Sequence, residues 1–152
     1  MEHLSAPIAP VQGRLHHVGF VVQSIAASAE GFSRSIAGAW DGRIIQDPLQ
    51  GARVTFLRGP IPADALVELI EPVDEASPVS KFLKRGGGLH HLCYEVGNLE
   101  TQLQYIRSTG SLVVRPPVPA VAFGGRRIAW VYTKAKLLLE YLETDGSTIA
   151  AL

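Results

Sequence analysis

The sequence predicts an α+β fold made of two βαβββ modules in tandem, and three observations carry that expectation. Leu15-His16-His17-Val18 and Leu89-His90-His91-Leu92 are near copies 74 residues apart. Each is followed by an apolar-flanked glutamate: Glu68 within Leu66-Val67-Glu68-Leu69-Ile70-Glu71, and Glu140 within Leu138-Leu139-Glu140-Tyr141-Leu142-Glu143, 72 residues later. The same slide of 74 pairs residues 51–57 with 125–131, where apolar residues recur at matching places.

Residues 1–13 read as an irregular lead-in, 14–76 as the first module, 77–88 as a linker and 89–152 as the second module, together one compact domain. Residues 15–22 form a strand; alternation puts His17 on one face with Gly19 and Val21, and turns Val18, Phe20 and Val22 toward a covering helix. That helix begins at Ser24, a capping serine, and shows Ile25, Ala29, Phe32 and Ile36 at four-three-four spacing until Gly38 stops it. Strands over roughly 43–47, 52–58 and 65–71 complete the module.

In the linker, Ser77-Pro78 opens a short helix with serine at the cap and proline in the first turn, and Gly86-Gly87-Gly88 ends it. The second module repeats the plan. Asn98 caps a helix carrying Leu99, Leu103 and Ile106, Gly110 stops it, and strands follow over roughly 112–115, 126–132 and 136–143. Residues 115–125 contain Pro116, Pro117 and Pro119 and are expected to be a loop bordering a pocket.

Composition narrows the function. With 152 residues, 47% of them hydrophobic, the chain can bury a substantial core. Its 14 basic and 14 acidic residues cancel, and no basic stretch provides a nucleic-acid footprint, so a small-molecule partner is expected. No apolar run approaches the ~20 residues of a membrane span, and the N-terminus lacks a basic start, which points to the cytoplasm and no membrane partner. The single cysteine, Cys93, excludes an intrachain disulfide and reads as a small buried apolar residue.

The apolar flanks of Glu68 and Glu140 imply strands buried on both faces. An ionised carboxylate in such a place needs a partner, and a metal ion is one of the few that suffice. A single buried histidine is more often a hydrogen-bonded core residue than a ligand, but here histidine and glutamate both recur in both halves. His17, Glu68, His91 and Glu140 are therefore the expected ligands of one divalent ion, of the Zn, Ni, Co, Mn or Fe class, with positions left for water or substrate. Strand parity puts His16 and His90 on the opposite face, leaves Glu71 and Glu143 at solvated strand ends, and His3 is expected to be exposed.

These residues resemble the vicinal oxygen chelate superfamily, and within it methylmalonyl-CoA epimerase and glyoxalase I, over nearly the whole chain after residue 13. Leu15-His16-His17-Val18-Gly19 looks like the opening strand, Val67-Glu68-Leu69-Ile70-Glu71-Pro72 the first ligand strand, Ser77-Pro78-Val79-Ser80-Lys81-Phe82-Leu83 the epimerase-like linker, and Gly88-Leu89-His90-His91-Leu92 the second opening strand. The resemblance implies a cup-shaped mixed sheet with helices outside, holding one ion by His17, Glu68, His91 and Glu140. It also implies an isomerase, epimerase or lyase that abstracts a proton alpha to a carbonyl of a small acid or thioester through a metal-stabilised enediolate.

Two departures stand out. Leu49 occupies the place where the epimerases carry a glutamate proposed as one of two proton-transfer bases, and residues 132–136 form a shorter hairpin than theirs. The candidate proton-transfer residues are then Glu140 and Glu95, and the candidate substrate contacts are Gln50, Arg126 and Arg127. A non-catalytic small-molecule binding protein and a ferrous dioxygenase are the competing readings. A homodimer, each chain holding its own site, is the expected assembly.

Overall fold

Each half runs strand, helix and three strands, as the repeat predicts. The computed structural model describes residues 13–145. Its elements are β1 (Gly13–Val21), α1 (Ile25–Ser35), β2 (Ile45–Asp47), β3 (Ala52–Leu57), β4 (Leu66–Pro72), α2 (Ser80–Lys84), β5 (Gly88–Val96), α3 (Leu99–Ser108), β6 (Leu112–Pro119), a 3₁₀ turn (Val121–Phe123), β7 (Arg127–Tyr132) and β8 (Leu138–Glu143).

The eight strands form one curled sheet in the order β2-β3-β4-β1-β5-β8-β7-β6. In each module the first strand pairs in parallel with the last, β1 with β4 and β5 with β8, while β1 and β5 join the modules in antiparallel at the centre. This order assembles the candidate site. It sets the strands of His17, Glu68, His91 and Glu140 side by side, so four residues spread over 124 positions share one patch of sheet.

The helices cover the convex face. Ser24 Oγ accepts a hydrogen bond from the Ala27 N–H, and α1 buries Ile25 and Ala29 against Leu57 and Leu69. Asn98 Oδ1 accepts from the Thr101 N–H, and α3 buries Leu99 and Leu103 against Ala129, Val131, Leu139 and Tyr141. Each fully buried aliphatic chain here contributes about 1.5–3 kcal/mol relative to exposure. Strand ends are tied by ion pairs that echo the repeat: Arg53 Nε to Glu71 Oε2 at 2.7 Å, and Arg127 Nη2 to Glu143 Oε1 at 2.7 Å. Glu71 and Glu143 are thus paired strand ends rather than merely solvated ones.

Four local expectations differ from the structure. The proline segment is not a loop up to Gly125: β6 continues through Pro119 as the edge strand, its pairing with β7 irregular between Val113 and Val118, and an edge tolerates residues that cannot donate. Ser77 does not cap α2. Its hydroxyl donates to the Gln50 carbonyl, and the helix starts three residues later behind Val79 without a side-chain cap. The left-handed residue after α1 is Ala37 (φ 52°), while Gly38 admits the Arg58 carbonyl, which would lie 2.1 Å from an added Cβ. The fourth difference concerns His16 and His90. His3 and most of the lead-in lie outside the described residues, as do residues 146–152.

Candidate metal centre

The β1–β5 pairing contains two irregularities that place both histidine doublets in the cup. Leu15 pairs with Tyr94 and His17 with Cys93, leaving His16 as an extra residue; Gly19 pairs with His91 and Phe20 with Leu89, leaving His90 as another. An extra residue in a ladder breaks strand alternation and re-aims a side chain. His16 and His90 therefore do not face away, as simple parity expects, but stand beside His17 and His91. The repeat itself held the signal, since what recurs is a doublet rather than a single histidine.

At the floor of the cup, His17 Nε2 and His91 Nε2 are 3.1 Å apart. His17 Nε2 lies 3.7 Å from Glu68 Oε2 and 3.3 Å from Glu140 Oε1, and His91 Nε2 lies 3.5 Å from Glu68 Oε1 and 4.0 Å from Glu140 Oε1. All four residues are at most 5% exposed. Aromatic rings wall the site: Phe123 stacks on His17 at a 20° interplanar angle, Phe56 meets the same ring edge-on, and Trp130 meets His91 with ring centroids 4.7 Å apart. Phe56 and Trp130 are themselves repeat partners, 74 residues apart. Gly19 leaves the room that His91 fills, because an added Cβ would lie 2.2 Å from His91 Cε1.

Burial governs the electrostatics. It lowers His17 and His91 to about 3, so both rings are neutral and offer lone pairs, with the Glu140 charge opposing the drop at His91. It raises Glu68 well above the usual carboxylate range, helped by the Glu140 and Asp47 charges, and raises Glu140 against the pull of His91. Contacts between neutral rings and carboxylates are not ion pairs, so the cluster lacks a cation of its own. Glu140 Oε1 is buried with no hydrogen-bond partner.

A divalent ion fits this donor set. Two imidazole nitrogens and two carboxylates suit a borderline cation, and ligands at ~2.1 Å from one ion sit about 3 Å apart at right angles, close to the Nε2 separation seen. His17, Glu68 and His91 offer atoms all within 4.8 Å of one another. Cys93 is buried beside Glu140 with its thiol pushed well up by burial and the surrounding carboxylates, so it packs as the small apolar residue expected.

Two cavities open onto the doublets. One of about 560 Å³ is lined by His16, Phe56, Phe123, Arg126, Arg43 and Arg58, and one of about 330 Å³ by His90, Gln50, Arg115, Trp130 and Leu138. Arg126 Nη1 lies 3.5 Å from Glu95 Oε2; that nitrogen and Glu95 Oε1 are buried without hydrogen-bond partners. Arg127 is not brought to the cup. Its guanidinium binds Glu100 and Glu143 on the helix-covered face, where alternation places it once Arg126 faces inward. Leu49 is 53% exposed and lines a 610 Å³ cleft beside Asp47 and Ser77, while its neighbour Gln50 lines the cavity of His90. Among the described residues no helix is long and apolar enough to cross a membrane.

The family model described as "Glyoxalase/Bleomycin resistance protein/Dioxygenase superfamily" matches residues 16–130. An ethylmalonyl-CoA/methylmalonyl-CoA epimerase of Cereibacter sphaeroides is 31% identical over 124 residues, covering 80% of this chain and 90% of that protein. The crystal structure of methylmalonyl-CoA epimerase from Mycobacterium tuberculosis superposes with a TM-score of 0.76 at 28% identity, over 99% of this chain and 98% of that one. The Streptomyces coelicolor methylmalonyl-CoA epimerase in complex with 2-nitronate-propionyl-CoA shares the fold, with a TM-score of 0.74 at 24% identity, over 88% of this chain and 98% of that one.

Proposed function

The chain belongs to the glyoxalase/bleomycin resistance protein/dioxygenase superfamily, and from that premise we propose that it is a divalent-metal-dependent epimerase taking the proton alpha to a carbonyl of a carboxylated acyl thioester. The observation that carries this reading is the meeting of His17, Glu68, His91 and Glu140 next to His16 and His90, each of which lines an open cavity. The epimerase relatives support the thioester class. An ion held by the four residues supplies Lewis acidity toward a carbonyl oxygen.

The residues divide the remaining work. Glu140, whose proton affinity is raised by burial, would take the alpha proton as base when its carboxylate is not engaged with the ion. Arg126 offers Nη1 to the substrate carboxylate, and Glu95 holds the guanidinium in place rather than touching the reacting carbon. Gln50 lines the second cavity and hydrogen-bonds the far end of the substrate. Phe56, Phe123 and Trp130 keep water from the carbanion.

Solvent-deuterium uptake at the alpha carbon of a methylmalonyl thioester tests this reading. Glu140→Gln lowers the exchange rate by about 10²–10⁴-fold, and an unchanged rate in that variant refutes the role of Glu140. Because Leu49 supplies no second acid, returning the proton to the opposite face is the slower event, and exchange outruns inversion in the native enzyme.

A further inference from the structure

Each ligand histidine is preceded by a second histidine that a bulge turns into the cup, and the four-residue centre leaves those two rings without a purpose. His16 Nδ1 lies 2.8 Å from His17 Nδ1, and His90 Nδ1 lies 2.9 Å from His91 Nδ1. The two contacts join the same atoms in both modules. Each pair meets nearly edge to face, at interplanar angles of 80° and 88°.

At such a distance between two ring nitrogens, one carries the hydrogen and the other presents its lone pair. A ring that offers Nε2 to a cation carries its hydrogen on Nδ1, and the hydrogen bond made by that second nitrogen sets both tautomer and ring orientation. The outer ring must then accept at Nδ1 and carry its own hydrogen on Nε2. With both inner rings held this way, two Nε2 lone pairs face each other 3.1 Å apart between two carboxylates, an arrangement that a cation satisfies.

We infer that His16 and His90 are positioning residues that accept the Nδ1–H of His17 and His91 and so aim both Nε2 lone pairs at the metal ion. The assignment rests on the metal centre proposed above. It has a second consequence: the Nε2–H of His16 lies on the ring that lines the 560 Å³ cavity and that of His90 on the ring lining the 330 Å³ cavity. Neither Nε2 bonds another described residue, so each is a donor available to a bound substrate oxygen.

Zinc titration against a competing chelator tests the inference, with His16→Leu and His90→Leu removing the acceptor and His16→Asn and His90→Asn restoring one near the Nδ1 position. Each leucine variant loses about 10–100-fold in zinc affinity, and each asparagine variant recovers most of it. In the zinc-loaded wild type, nitrogen NMR shows a scalar coupling across the Nδ1–H···Nδ1 bond of each doublet. Leucine variants that stay folded and bind zinc like the wild type overturn the inference, as do equal losses in leucine and asparagine variants, or a missing coupling. A wild type that takes up no stoichiometric zinc, nickel, cobalt, manganese or iron overturns the metal centre itself, a different failure from wild-type affinity in the leucine variants.

Discussion

Loading the cup with a divalent cation raises the melting temperature by roughly 5–11 °C, and Glu68→Gln combined with Glu140→Gln abolishes the rise. The size follows from linkage: a cation at a hundredfold excess over its dissociation constant stabilises the folded state by about 2.7 kcal/mol. A chain of about 150 residues gains roughly 2–4 °C per kcal/mol. The structure explains why the gain goes to the folded chain alone, since His17, Glu68, His91 and Glu140 come from four strands and meet only in the native sheet. Burial raises both carboxylates, so removing their charge relieves a desolvation cost, and the metal-free double variant melts no lower than the metal-free wild type. Scanning calorimetry of chelator-treated protein, with and without each of the five candidate cations, measures both quantities. An equal rise in the double variant, or no rise with any cation in the wild type, refutes the reasoning.

The same variant isolates a pH dependence. The raised Glu68 and Glu140 contribute stability that is present below the ordinary 4.5 and lost as pH rises through their folded values, whereas His17 and His91, lowered to about 3, contribute stability present above 6.5 and lost as pH falls. Urea denaturation from about pH 5 to about pH 8 therefore shows the metal-free double variant gaining on the wild type as pH rises; a constant gap rejects the carboxylate shifts. Gly19→Ala drives a methyl group into His91, costs about 1–3 kcal/mol and weakens metal binding, so calorimetric titration giving wild-type affinity contradicts the packing seen around that ring. Arg126→Ala leaves the Glu95 carboxylate, 1% exposed, without its cation and costs about 3–5 kcal/mol, while Glu95→Gln with Arg126→Met recovers most of it. In Arg126→Lys, which keeps the charge but not the fork, a raised KM for a carboxylated thioester with little change in kcat marks a carboxylate contact.

Much of the fold was legible because it rests on short-range chemistry. The Ser24 and Asn98 caps, the four-three-four apolar spacing of α1 and the period-two pattern of β1 from His17 to Val21 are properties of a few neighbouring residues, and the structure places each where its pattern predicts. Duplication then exposed the four clustered donors, His17, Glu68, His91 and Glu140, since an apolar strand repeats a buried glutamate only where something compensates it. Other features stayed hidden because their causes are distant. Ser77 follows the Gln50 carbonyl across 27 residues rather than its own helix, and the proline segment becomes a strand because it borders β7 on one side and no other strand.

What the chain determined by itself is therefore the paired modules and the identity of the buried donors, whose patterns are local and occur twice. What only the tertiary structure decided is the company those donors keep. A bulge is a mismatch in residue count between two strands, so no reading of β1 or β5 alone could turn His16 and His90 into the cup; that required the register in which the two strands meet.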